Sequence, residues 1–265
     1  MTKDNIPGRP ENAYDPATAD RLLSVADSYL KNADRLIYSY GSKTFLAGYD
    51  LFDPEYGGRG NIDCSTFVIM VLADIPYEDS PYASGRIKDL SADKAFLSTD
   101  EFRKLADFSA LPAHYTGIAE RIGRPYLAGP KGLDLKKAAA LGITVETLGQ
   151  EIRASGIGRR SVVIARHFLE KGECFSDPAY LKPADLVFYE NPGFFTEGGE
   201  TFRGKAEITH VGIVSADTEL MFHSSGHLGK AQAEQEGLPA IALAPVFGAR
   251  KPAFFARPLY RARKL

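Results

Sequence analysis

One cysteine and two histidines in this 265-residue chain are of the types, and at the places, that a thiol nucleophile and its base require. Cys64 opens the apolar run Asn61-Ile-Asp-Cys-Ser-Thr-Phe-Val-Ile-Met-Val-Leu-Ala73, directly after the glycine-rich turn Tyr56-Gly-Gly-Arg-Gly60. Such a run reads as a helix that is apolar on all sides and therefore buried. Its first turn presents unpaired backbone N–H groups and the positive end of the helix dipole, a setting that favours thiolate over thiol.

A cysteine nucleophile needs a base within hydrogen-bond reach and a polar group that orients the base. The chain offers five histidines: His114, His167, His210, His223 and His227. The segments Ile208-Thr-His-Val-Gly-Ile-Val214 and Glu219-Leu-Met-Phe-His223 read as two strands joined at Ser215-Ala-Asp217. A hairpin centred on Ala216-Asp217 sets His210 directly opposite His223 on one side of the sheet, with Cβ atoms roughly 5 Å apart. The turn is not an Asn-Gly signature, so hydrophobic pattern sets the register, and a slip of one residue sends the two rings to opposite faces. His227 competes with His223 for the third position, because Ser224-Ser-Gly226 can present either ring. His114, His167 and Cys174 read as structural.

The elements that must position these residues follow from periodicity. A polar, proline-bearing arm, expected to be loose, covers 1–17, and a helix is expected from about Ala17 to Arg35, with Leu22, Leu23, Val25, Ala26, Tyr29 and Leu30 at helical spacing. Residues 36–63 read as a loop into the cysteine helix. Between 78 and 171 the composition is helical and polar, with helices expected at 99–109, 134–141, 143–154 and 159–171. After Pro183 come short β-rich runs, 185–189, 208–214, 219–223 and 254–260. Helices first and an antiparallel sheet afterwards make an α+β arrangement in a single domain, 1–265. The basic residues Arg250, Lys251, Arg257, Arg261, Arg263 and Lys264 alternate with apolar ones and read as a last strand with one solvated face.

Composition narrows the function classes. With 44% hydrophobic and 25% charged residues and a formal net charge of -2, no global field favours nucleic acid or an anionic membrane. Two cysteines in unlike settings, with no Cys-x-x-Cys, argue against a disulfide framework or a structural zinc site. His223 and His227 have His-x-x-x-His spacing, but Ser-Ser-Gly between them argues against the helix a metal pair needs. No metal and no cofactor are expected. No apolar run is long enough to span a bilayer, and the polar N-terminal stretch has no apolar h-region, so no Sec signal is expected in it. The expectation is a cytoplasmic protein or one exported by a non-Sec route, with secretion after removal of a leader as the alternative.

The Asp63-Cys64-Ser65 step into an apolar helix is followed by Lys182-Pro-Ala-Asp-Leu-Val-Phe188, Thr209-His-Val-Gly-Ile-Val214 and Met221-Phe-His223. In order and content these segments resemble the NlpC-type cell-wall cysteine peptidases of the papain-like group. The likeness covers 36–82 and 161–225. Thr66 stands where the family usually has glycine, and Cys64 and His210 are farther apart than is usual there, leaving a largely helical insertion over 82–160.

The resemblance implies a papain-like α+β fold and hydrolysis of amide bonds in peptidoglycan stem peptides or muropeptides, commonly between γ-D-glutamate and a diamino acid, through a thioester. It assigns Cys64 as nucleophile, His210 as base and His223 as the residue that orients it. The family's site tyrosine matches Tyr38 in Tyr38-Ser-Tyr-Gly41, with Tyr56 as rival. Asp63 and Ser65 are implied to line a pocket for a substrate amine; for Asp63 the structural alternative is a helix N-cap. Asp79, in Ile75-Pro-Tyr-Glu-Asp-Ser80, matches an aspartate that binds a free amino end, or else is a turn residue. Two other functions share the scaffold: a thiol amidase, acyltransferase or transglutaminase, and a decayed peptidoglycan-binding or effector protein.

Overall fold

The computed structural model describes residues 6–38, 52–53, 59–84, 119–120, 122–129, 132–133, 135–143, 160–191, 194–197, 200–203, 207–224, 239–248 and 250–258. Helix α1 (Pro16–Lys31) starts on a proline, whose fixed φ and missing N–H suit the first helical position. It buries Leu22, Val25, Ala26 and Tyr29, one face at helical spacing. The expected helix to Arg35 stops four residues early: Asn32 leaves helical geometry, and Ala33–Arg35 continue as a single 3-10 turn.

Strands β1 (Leu36–Tyr38), β2 (Phe52–Asp53) and β3 (Arg59–Ile62) form a three-stranded sheet in the order β1-β3-β2, with β1 and β3 parallel and β2 antiparallel. These strands correct the loop expected over 36–63 at their own residues; 39–51 and 54–58 lie outside the described residues. The sequence Arg59-Gly-Asn-Ile62 has no hydrophobic alternation to mark a strand, although its burial alternates once folded, and contacts from elsewhere help to hold it. Tyr82 supplies one. Its hydroxyl donates to Asn61 O at 2.8 Å, and a methyl on Gly60 would lie 2.5 Å from its Cδ1. Only glycine admits that close approach.

Helix α2 (Cys64–Leu72) follows β3 after one residue, and all nine of its side chains are buried. Asp74, at φ 57°, closes it: its N–H donates to Val71 O and that of Ile75 to Met70 O, a Schellman-type end. The chain then makes a 3-10 turn at Tyr77–Asp79 and the short helix α3 (Pro81–Ser84). Beyond it lie the two-stranded hairpin β4 (Ala128–Gly129) and β5 (Gly132–Leu133), α4 (Leu135–Ala140) and α5 (Arg160–Glu170). The last two match the helices expected at 134–141 and 159–171. Those expected at 99–109 and 143–154, and most of 82–160, lie outside the described residues.

Strands β6 (Cys174–Phe175), β7 (Leu186–Asn191), β10 (Glu207–Val214), β11 (Leu220–Ser224), β12 (Ile241–Pro245) and β13 (Pro252–Ala256) form one antiparallel sheet, ordered β12-β11-β10-β7-β13-β6. Strands β8 (Phe194–Glu197) and β9 (Glu200–Arg203) pair antiparallel as a separate two-stranded sheet. One core cluster joins α1, α2 and α5 to Leu186, Phe188, Val211, Ile213, Phe222 and Phe254. A second gathers Phe175, Val187, Tyr189, Val214, Met221 and Phe255, their alternating neighbours along the strands. Tyr29 fixes α1 on α2, edge-on to Phe67 at 5.8 Å with its hydroxyl donating to Ile75 O at 3.1 Å. The molecule is a mixed α+β structure. Among the described residues no helix is long and apolar enough to cross a membrane.

The N-terminal arm meets this framework at several points. Ser176 N donates to Pro7 O at 2.9 Å, Asp177 N to Gly8 O at 2.8 Å, and Asn12 Nδ2 to Arg257 O at 2.9 Å.

Candidate active site

Cys64 occupies the first position of α2 and is 8% exposed. Asp63 is the N-cap. Its Oδ1 accepts from Thr66 N at 2.8 Å and from the Ser65 hydroxyl at 2.7 Å. The structural alternative for Asp63 therefore holds, and the cap directs its carboxylate to the backbone of the first turn. Ser65, buried, spends its hydroxyl proton on that carboxylate.

Helix α2 packs on β10 and β11, the strands that carry the two histidines. His210 Nε2 lies 3.0 Å from His223 Nδ1, with the rings edge to face at 5.2 Å between centroids. The register differs from the one expected. Ile213 pairs with Phe222 and Val214 with Met221, which shifts the ladder by two residues. The loop is wider than a two-residue turn. Asp217 explains this: its carboxylate accepts from Glu219 N at 3.0 Å, its carbonyl from the Ser215 hydroxyl and Leu220 N, and Ser215 N donates to Leu220 O. A shift of two preserves the face. His210 and His223 thus become diagonal neighbours, within reach of long side chains.

A bulge at Thr209 aims His210. Ile208 pairs with Glu190 and His210 with Tyr189, so one extra residue sits in β10 at that point. Across β7, a second irregularity between Pro252 and Phe254 faces Tyr189 and Phe188. Bulges bend a strand and redirect one side chain. The ring of His210 lies 5.9 Å from that of Tyr189. Tyr189 is itself fixed, since its hydroxyl donates to Val246 O at 2.8 Å and contacts Met221 Sδ at 3.2 Å.

Tyr38 ends β1 beside Ile62, two residues before Cys64. Asp79 is exposed and closes the 3-10 turn, its N–H donating to Pro76 O at 3.1 Å. Tyr56, His114 and His227 lie outside the described residues. Three buried polar atoms beside the site residues carry no sequence signal: Asn61 Oδ1, Thr209 Oγ1 and Ser224 Oγ have no hydrogen-bond partner among the described residues. No spacing signal marks them, because only burial makes an unmet polar atom informative.

Cys174 has the opposite setting to Cys64. It is fully buried in β6, and burial, with the Glu173 carboxylate adding, pushes its thiol up to about 12. Asp185, just before β7, and Arg257, just after β13, meet at the end of the sheet instead of facing solvent. Arg257 Nε donates to Asp185 Oδ1 at 2.9 Å and Nη2 to Oδ2 at 2.8 Å, while Lys182 N donates to Oδ2 at 2.8 Å. Arg257 is 7% exposed, which corrects the solvated face expected for the basic C-terminal stretch at this residue. Among the described residues no group of three or more His, Cys, Asp or Glu is placed to hold a metal ion. Comparison of the chain with protein-family models, curated proteins and solved structures brings no match.

Proposed function

We propose that the protein is a cysteine peptidase of papain-like fold, related to the NlpC-type enzymes, that hydrolyses amide bonds in peptidoglycan stem peptides, at γ-D-glutamyl-diamino acid linkages. The observation that carries this reading is the 3.0 Å hydrogen bond between His210 and His223, on strands against which the helix beginning at Cys64 packs.

Cys64 is the nucleophile and His210 its base. With Nε2 of His210 engaged by His223, Nδ1 is the nitrogen assigned to the thiol. His210 leaves β10 toward Tyr189, whereas Val211 and Ile213 share a core with α2. The reading therefore has sulfur and imidazole meeting around the strand at the Thr209 bulge. The thiolate attacks the scissile carbonyl, and the tetrahedral oxyanion is held by the Cys64 backbone N–H and the Tyr38 hydroxyl. His210 protonates the departing amine, leaving a thioester, and then takes a proton from the water that releases the acyl group. His223 holds the ring and tautomer of His210. Asp63, with one oxygen serving the cap, and Ser65 line the amine side of the pocket, and Asp79 meets a free amino end.

The test combines product analysis with titration of the thiol. A panel of muropeptides with free and blocked amino ends should yield cleavage at the γ-D-glutamyl bond, read by mass. Ultraviolet absorbance should show a Cys64 thiolate near neutral pH that disappears in His210→Ala. A Cys64 titration unchanged by that substitution removes the ion pair and the mechanism with it. Transfer of the acyl group to an added amine, in preference to water, would replace the peptidase by an acyltransferase.

A further inference from the structure

At the end of the sheet away from His210, a cavity of about 200 Å³ opens between the start of α1 and the loop entering β7, lined by Tyr14, Asp15, Thr18, Leu22, Asp185 and Arg257 among others. Val214 anchors this end: its N–H donates to Asp185 O and its carbonyl accepts from Ala184 N, both at 2.8 Å. Four residues of β10 separate it from His210, roughly 13 Å at strand spacing.

Arg257 is more than nine-tenths buried. Its guanidinium carries five N–H donors. Three are used, two on Asp185 and one on Tyr180 O at 2.7 Å. Nη1 makes no hydrogen bond to a described residue, although its carrier lies against the rings of Tyr14 and Phe175 and borders the cavity. The start of α1 supplies donors of the same kind. Asp15 stands at the N-cap but makes no cap bond, and its carboxylate instead accepts from the Thr18 hydroxyl. The first-turn amides thus keep their positive end toward this region. Tyr14 adds a phenol held protonated, because burial, with Asp20 and Asp185, pushes its pKa up.

The charges are unequal in a way that specifies the ligand. Asp185 is neutralised by Arg257, so Asp15, exposed at the rim, is the carboxylate without a cationic partner among the lining residues. A donor-rich floor and a carboxylate rim suit a molecule that carries both an anion and a cation. The volume lies below the roughly 300 Å³ at which drug-sized sites begin, which restricts the ligand to a few heavy atoms.

We propose that this cavity binds a small α-amino acid zwitterion, its carboxylate on Arg257 Nη1 and the α1 amides, its ammonium on Asp15. The site is independent of Cys64, and its test measures binding alone. Calorimetric and NMR titrations of the whole chain with alanine, acetate and ethylamine should find alanine bound at least about tenfold more tightly than either fragment, since both charged ends are recognised. Asp15→Asn touches neither the Arg257–Asp185 pair nor a cap bond, so the variant folds; it should weaken alanine about tenfold and leave acetate bound no more weakly, since a like charge is removed. Equal affinity for acetate and alanine, indifference to Asp15→Asn, or no shift of Tyr14 and Ala19 signals with alanine would each overturn the proposal.

Discussion

His210 Nε2 sits 3.0 Å from His223 Nδ1, although the two residues are diagonal in the ladder and not opposite. The contact depends on two features together: a turn widened by Asp217 and a bulge at Thr209. Either alone moves one ring relative to the other.

If Cys64 and His210 act as one unit, single substitutions should cost nearly the same. Cys64→Ala should abolish cleavage of a γ-D-glutamyl stem peptide, and His210→Ala should match it within about tenfold, because members of such a unit are not additive. Melting temperatures should stay close to that of the parent. Full activity in Cys64→Ala ends the peptidase reading.

His223 is assigned to orient and not to transfer the proton. His223→Asn keeps a hydrogen-bonding group at the position and should retain measurable turnover with a shifted pH profile. Complete loss would assign this residue a direct part in the proton transfer.

The two thiols should separate under alkylation. Iodoacetamide at neutral pH should modify Cys64 and spare Cys174, whose thiol is buried and pushed up to about 12. Peptide mass mapping over time reads the difference. Equal sluggishness of both would favour a decayed scaffold.

Arg257→Ala should destabilise the fold by about 3–5 kcal/mol near neutral pH, the cost of leaving a buried carboxylate without its cation. The pH dependence has a definite sign. Burial already pushes the Asp185 carboxyl up, with Arg257 opposing, and loss of Arg257 pushes it further. A carboxyl raised in the folded state is tolerated while protonated, below its unfolded value, and opposes folding as pH rises through the folded value. The deficit of the variant should therefore shrink toward acid pH and grow toward neutral, as read by urea melts across that range.

Gly60→Ala should strain the approach to Cys64. The added methyl meets the Tyr82 ring at 2.5 Å, and overpacking of this kind costs about 1–3 kcal/mol. Gly60→Ala paired with Tyr82→Leu should recover part of the loss, measured by thermal unfolding.

Much of this architecture was legible in the sequence because apolar runs declare themselves. The Cys64 helix, the strands around His210 and His223, and helices α4 and α5 appear where periodicity and composition place them. What stayed hidden rests on short or distant pairings. Strands β1 and β3 are only three and four residues long, and Tyr82, which packs on Gly60 and Asn61 of β3, comes from beyond α2. Strand β12 pairs with β11 but had no marker in its own five residues. The hairpin register lies two residues from the one that hydrophobic pattern suggests, because Asp217 bonds to its neighbours in a way that turn statistics do not dictate.

That a cysteine heads a wholly buried helix and that two histidines lie on neighbouring strands is written in the order of the residues, since burial follows from unbroken apolar runs and face follows from parity. The diagonal bond between the histidines, the Asp63 cap on the helix, and the entry of Arg257, in the basic C-terminal stretch, into the interior to meet Asp185 come from folding in three dimensions. These depend on which unmet hydrogen-bonding groups come together once water is excluded, and no local pattern in a chain encodes partners 72 residues away.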